Sequence, residues 1–141
     1  MQSEALRIQA TIADLAAITD DGKHIAEVAA STWREILAVL APVIGPGGVA
    51  ALYQRSLFLT RSAYPCLAAV NEDPLRPGEF AALQTVLSQQ TSAQVAAANG
   101  ALLRTFCDLL SNLIGVSLTE RLLRSVRSLP RANPGGQDIP R

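Results

Sequence analysis

The sequence predicts an all-α fold, a single compact bundle of five to seven helices. Apolar residues recur at i, i+3 and i+4 spacing in several segments, whereas the alternation typical of a half-buried strand is almost absent. No repeat of solenoid length is visible, and 141 residues are enough for one domain with its own core. We place this domain at residues 1–129, and we expect residues 130–141, rich in proline and glycine, to form a flexible tail.

A first helix is predicted from about Ser3 to Ile18. Asp20-Asp21-Gly22 then ends it and supplies capping carboxylates for the second helix. The apolar face of the first helix consists of Ile8, Ile12, Leu15 and Ile18.

The second helix has the clearest apolar stripe, which places Trp33 in the core of the protein. Pro42 and the glycine loop Gly45-Pro46-Gly47-Gly48 are expected to end this helix, with a positive φ in the turn. The stripe consists of Ile25, Val28, Ala29, Trp33, Ile36, Leu37 and Leu40.

A third helix is predicted from about Gly48 to Ala63, because Pro65 disfavours helical geometry in the preceding residue. A helical turn at 66–70 and an exposed connector at 71–78 follow. The fourth helix begins near Phe80.

Capping boxes mark two further helix starts. Thr91-Ser92-Ala93-Gln94 either begins a new helix or lies inside one long helix reaching Ile114, and we favour a break there. In this segment Asn99-Gly100 looks like a weak point of the apolar stripe. Gly115 is expected to end the helix, and Ser117-Leu118-Thr119-Glu120 to open a short last one.

Charge is almost absent between Phe80 and Thr119, where Arg104 and Asp108 are the only ionised residues. A helix with so little charge is usually covered by protein, either inside a bundle or at an oligomer interface. The chain also has no net charge, with 12 basic and 12 acidic residues, which makes self-association easier. We therefore expect a homo-oligomer, formed through part of the region from Phe80 to Ile114.

Composition limits the possible functions. The absence of net charge argues against binding to nucleic acid, and the uncharged run contains too many polar residues to span a membrane. The N-terminal segment lacks the pattern of a secretory signal, so the expected location is the cytoplasm. The preference for arginine and alanine suggests a bacterial source. Cys66 and Cys107 lie in apolar surroundings and are expected to be reduced core residues.

Two groups of residues are candidates for binding. Gly47 and Gly48 precede a predicted helix, and together with Arg55 and Arg61 they could hold an anionic small molecule. Without a following Lys-Ser or Lys-Thr the loop is not a P-loop, and a purely structural turn with a solvated helix face is the competing interpretation.

Arginines recur every three residues in the C-terminal segment, at Arg121, Arg124 and Arg127. Such a strip could contact an acidic partner or phosphates. The alternative is that these arginines stabilise the helix dipole and face solvent, and no aromatic residues alternate with them for nucleic-acid stacking.

Catalysis is not indicated by any motif. His24 is the one histidine and lies at a helix start among charged residues, which is typical of a solvated side chain. A single histidine without clustered cysteines is also a poor metal site, so we predict no metal, no cofactor and no catalytic residues.

The leading hypothesis is a non-enzymatic regulatory or adaptor protein that acts through protein–protein interaction and self-associates. The alternative is a sensor module that binds an anionic or apolar small ligand near Gly47, Arg55 and Arg61. An enzyme that uses His24 is a third hypothesis.

Overall fold

The computed structural model describes residues 4–18, 21–70 and 80–126, and within these ranges the protein is all-helical, with five α-helices and no strand. The predicted all-α class is confirmed. The predicted connector at 71–78 and the tail at 130–141 lie outside the described residues. In chain order the elements are α1 (Glu4–Ile18), α2 (Gly22–Thr60), a short 3-10 helix (Pro65–Ala69), α3 (Ala81–Leu87), α4 (Ser92–Ile114) and α5 (Val116–Leu123).

Helix α2 unites the second and third predicted helices across a kink at Gly45. The backbone of Gly45 has φ 84° and ψ 151°, a conformation that side-chain-bearing residues rarely adopt. Pro46 follows as the first residue of the resumed helix, a position where proline needs no backbone N–H. The predicted break with positive φ is confirmed at Gly45, but the turn is shorter than the predicted Gly45-Pro46-Gly47-Gly48 loop, since Gly47 and Gly48 are already helical.

Two predicted caps are confirmed. The Asp21 carboxylate accepts a hydrogen bond from the backbone N–H of His24 at 3.3 Å and caps α2. The Thr91 hydroxyl accepts one from the backbone N–H of Gln94 at 3.1 Å, so α4 begins there and the favoured break is present.

The predicted cap at Ser117 is wrong. Gly115, with φ 93°, ends α4 and is also the residue from which α5 begins, which leaves Ser117 inside α5 and exposed. A glycine at positive φ can turn the chain within one residue, so no linker is needed between the two helices.

The core is built around Trp33, which is 1% exposed. Three aromatic rings surround its indole, those of Tyr53, Phe80 and Phe106, with centroid distances of 5.4, 6.0 and 5.1 Å. The indole N–H donates to the side-chain oxygen of Asn99 at 2.8 Å, and Asn99 is also 1% exposed. The predicted place of Trp33 in the core is confirmed.

Helix α4 is covered from within the chain, since it packs against α1, α2 and α5. Its buried face explains most of the missing charge between Phe80 and Thr119 without a second copy of the protein. Leu113, near the end of the helix, is an exception and is 61% exposed. The buried apolar side chains of α4 are Val95, Ala98, Leu102, Leu103, Phe106, Cys107 and Leu110.

Polar side chains of α1 contact α4 and the C-terminal end of α5. Gln9 lies against Gly100, where an added Cβ would come within 2.6 Å of the Gln9 amide nitrogen. The Arg7 guanidinium donates to the carbonyls of Leu123 at 3.3 Å and Val126 at 3.1 Å, at the C-terminal end of α5. The supposed weak point at Asn99-Gly100 is therefore a site of close packing.

The apolar face of α1 is shorter than predicted. Ile8 and Ile12 are each 1% exposed and Leu15 is partly buried, as expected. Ile18, at the last position of the helix, is 81% exposed.

Among the described helices, α2 is long and apolar enough to cross a membrane. Its most hydropathic 18 residues have a mean hydropathy of 1.9, and only 22% of them are buried. No ionised residue occurs between Glu35 and Arg55. Core helices of soluble proteins meet the same criterion of length and composition, so the expectation that no segment spans a membrane stays a prediction.

Candidate functional site

Two of the predicted binding residues lie on one exposed face, Arg55 in the second half of α2 and Arg61 at the C-terminal cap of this helix. Arg55, Phe58 and Arg61 follow one another at i, i+3 spacing, which places neighbours on the same side of a helix. The Arg55 guanidinium carbon lies 5.7 Å from the centre of the Phe58 ring, and that of Arg61 lies 4.4 Å from it. Phe58 is 52% exposed and its neighbour Leu59 is 42% exposed. We call Arg55, Phe58, Leu59 and Arg61 the arginine–phenylalanine face.

The opposite side of the same helix segment is buried, and its serine and threonine hydroxyls are hydrogen-bonded. Tyr53 and Leu57 belong to the core. The hydroxyls of Ser56 and Thr60 donate to carbonyls one turn earlier in their own helix, each at 2.7 Å. The polar groups of this segment that remain available to another molecule are therefore those of the exposed face.

The two guanidinium groups of this face have no acidic partner among the described residues. No described carboxylate lies within 4.0 Å of either Arg55 or Arg61. Both are held against the same aromatic ring, where a cation is attracted to the π face and the planar edge of the guanidinium remains available to hydrogen-bond acceptors. The arrangement can therefore bind a carboxylate or another planar anion.

The two predicted glycines, Gly47 and Gly48, lie nearer the N-terminus of α2 than the arginine–phenylalanine face does. Gly48 precedes Arg55 by two helical turns, about 10 Å along the axis at 1.5 Å per residue. A Cβ at Gly48 would come within 3.3 Å of Ile44, whereas nothing lies within 4 Å of a Cβ at Gly47. The structure thus brings Arg55 and Arg61 together over Phe58 and leaves the two glycines beside the Gly45 kink.

The C-terminal arginine strip is described only in part. Arg121 is exposed in the last turn of α5, where its charge is favourable toward the helix dipole. Arg124 is exposed at the C-terminal cap of the same helix. Arg127 lies outside the described residues.

His24 lies in the first turn of α2 and is solvated. Its side chain is 44% exposed, and its Nδ1 lies 3.9 Å from a carboxylate oxygen of Glu27, itself 66% exposed. This is a surface ion-pair geometry, of the kind that contributes little to stability.

The two cysteines are free thiols. Burial, with smaller contributions from the charges of Glu120 and Asp108, raises the pKa of the Cys107 thiol to about 12, and burial also raises the pKa of Cys66. Because the thiolate is the reactive form, neither cysteine has the lowered pKa of a catalytic or redox residue.

No group of three or more histidine, cysteine, aspartate or glutamate residues suited to a metal ion occurs in the described ranges 4–18, 21–70 and 80–126. Zinc sites use several such ligands around one ion.

Sequence reasoning named both arginines of the exposed face but missed Phe58 and Leu59. The i, i+3 spacing of Arg55, Phe58 and Arg61 was the available signal. It could not show that this face would turn toward solvent.

No protein-family model matches the chain, and comparisons with curated proteins and with solved structures give no significant match.

Proposed function

We propose that this chain is a non-enzymatic regulatory or adaptor protein of the bacterial cytoplasm, a single helical bundle that acts through protein–protein interaction and binds a second copy of itself. One observation carries the proposal. Only 22% of the residues in the most apolar stretch of α2 are buried, although most of the apolar side chains elsewhere on α2 and α4 lie in the core.

The exposed part of this stretch surrounds the Gly45 kink. We call it the α2 kink surface, and Val43, 45% exposed, is its largest side chain. None of its residues is charged, so two copies can meet without burying an unpaired ion. Its exposed residues are Ala38, Pro42, Val43, Pro46, Gly47 and Ala51.

The α2 kink surface suits self-association better than the region from Phe80 to Ile114. In that region most apolar side chains already pack inside the chain, and the exposed residues of α4 include Arg104 and Asp108 as well as Leu113, whereas the exposed residues of the α2 kink surface are all uncharged and lie close together along one helix. Large exposed apolar patches on a soluble protein mark interaction sites more often than scattered single residues do. The zero net charge adds no long-range repulsion between copies.

Sedimentation equilibrium of the wild type and two variants tests this proposal. We expect the wild type to have a mass of twice 14.9 kDa or more, and Val43→Asp to have the monomer mass with an unchanged melting temperature. Leu113→Asp is the matched control, since it adds the same charge at an exposed apolar position of α4.

Two outcomes would contradict the proposal. A wild type of 14.9 kDa at tens of micromolar would remove the self-association, and a monomeric Leu113→Asp beside a dimeric Val43→Asp would move it to α4. Flotation with lipid vesicles is the companion measurement. Vesicle binding by the wild type that is lost in Val43→Asp would assign the surface to a membrane instead of a protein.

The small-ligand sensor is the second candidate function, supported by the convergence of Arg55 and Arg61 on the Phe58 ring. Under this alternative, phosphate or a nucleotide raises the melting temperature by mass action, and Arg55→Ala abolishes the rise. Under the interaction proposal no such rise occurs, and Arg55→Ala changes stability by less than about 0.5 kcal/mol, as is usual for an exposed charge.

A further inference from the structure

We propose that the arginine–phenylalanine face of α2 binds an acidic amphipathic segment of another protein, whose carboxylates pair with Arg55 and Arg61 while an apolar side chain covers Phe58 and Leu59. This inference goes beyond self-association, because it concerns a different surface and a different partner.

The composition of the face points to a protein partner. Phe58 and Leu59 are adjacent, large and about half exposed, so together they form an apolar centre. Arg55 and Arg61 flank this centre one turn away on each side. Aromatic residues and arginine are enriched in protein interfaces, where a few such residues carry most of the binding energy.

The charge of the face specifies an acidic partner. Two guanidiniums with no described carboxylate within 4.0 Å leave the face positive in a chain that has no net charge. Stacking on Phe58 restricts both arginine side chains before binding, which lowers the entropy lost when a carboxylate pairs with them. Bidentate pairing with carboxylates is the interaction that a guanidinium favours.

The same charge argues against the other occupants. In a two-fold dimer through this face, four guanidiniums would meet, and like charges across an interface are costly. Nucleic acid binding draws its affinity from many phosphate contacts, whereas this face offers two cations.

The test uses the full chain and fluorescently labelled synthetic peptides. The acidic probe is a helical peptide with leucines at i, i+3, i+4 and i+7 and glutamates beside them, and its control has glutamine in place of every glutamate. We expect fluorescence anisotropy to give at least about tenfold tighter binding of the acidic peptide, because a charge-assisted pair contributes at least as much as one tenfold step in affinity. Added salt should weaken this binding.

Protein variants locate the binding. Arg55→Gln combined with Arg61→Gln should weaken acidic-peptide binding at least about tenfold, and Phe58→Ala should weaken both peptides. Lys23→Gln and Arg104→Gln are the matched controls, since each removes an exposed cation that lies outside both candidate binding groups. Both control variants should bind like the wild type.

Three results would overturn the inference: equal binding of the acidic and glutamine peptides, equal weakening by the control variants, and saturable binding of free glutamate or inorganic phosphate as strong as that of the peptide. The last result would assign the face to a small anion. Since none of these variants alters Val43, the mass of the protein in sedimentation reports separately on the proposed self-association.

Discussion

The hydrogen bond between Trp33 and Asn99 predicts a measurable coupling between two helices. It joins α2 to α4 across 66 residues of sequence, and both partners are 1% exposed. Water cannot replace either partner at such burial. Removal of one partner therefore leaves the other unsatisfied, whereas removal of both does not.

A double-mutant cycle isolates the contribution of this hydrogen bond to the free energy of unfolding. Asn99→Leu keeps a side chain of similar size but leaves the indole N–H without an acceptor, which should cost about 1–3 kcal/mol. Trp33→Phe removes the donor and part of the ring that packs on Tyr53, Phe80 and Phe106, so it should cost a fraction of the roughly 3–5 kcal/mol typical of truncation of an aromatic residue to alanine.

In the Trp33→Phe background, Asn99→Leu should become nearly neutral, because no buried donor is left unpaired. The two single changes should therefore add up to more than the double change, by about 1–2 kcal/mol. Urea unfolding followed by far-UV circular dichroism measures all four proteins, including those without tryptophan. Additivity within about 0.3–0.5 kcal/mol would refute the buried hydrogen bond.

Three further predictions concern packing, capping and titration. Gly22→Ala should cost about 1–3 kcal/mol in urea unfolding, since its Cβ would clash with the backbone oxygen of Gln90. Gly47→Ala, with nothing within 4 Å of the added Cβ, should be neutral or stabilising, and equal effects of the two changes would contradict the close approach at Gly22. Arg7→Gln should lower the unfolding free energy by up to about 1 kcal/mol through the lost bonds to the end of α5, and no loss would show that they contribute nothing. Cys107 should react with a thiol reagent at pH 8 only after unfolding. Because the native pKa of this thiol, about 12, exceeds the ordinary 9.0, its contribution to stability should be full below pH 9 and decline toward pH 12. The same decline in Cys107→Ala would exclude this thiol as the cause.

The sequence predicted local features of the fold well, because periodicity and capping act over a few residues. The core position of Trp33 and the caps at Asp21 and Thr91 followed from such local patterns. The start of α5 did not follow from the local pattern, because Gly115 and Ser117 are both suitable caps and lie two residues apart. Only the backbone conformation of Gly115 decides between them. Asn99 was interpreted as a weak point of the apolar stripe, because its hydrogen-bond partner, Trp33, lies on another helix and is not visible in the local pattern.

The candidate surfaces were harder to predict, because exposure depends on tertiary packing. Absence of charge marks a helix as covered but does not say whether its own chain or a second chain covers it. Within the described residues, α4 is covered by its own chain, whereas in the uncharged part of α2 around Val43 only 22% of the residues are buried. Charge alone could not distinguish these two helices.

A site-directed crosslink tests the central claim, self-association through the α2 kink surface, most directly. In a chain with Cys66 and Cys107 replaced by alanine, Val43→Cys places one thiol on that surface, and Asp14→Cys places one at an exposed position of α1. Under mild oxidation at low protein concentration, we expect Val43→Cys to form a covalent dimer of twice 14.9 kDa rapidly and Asp14→Cys to remain monomeric. Equal rates of dimer formation by the two variants, or none by Val43→Cys, would contradict the claim.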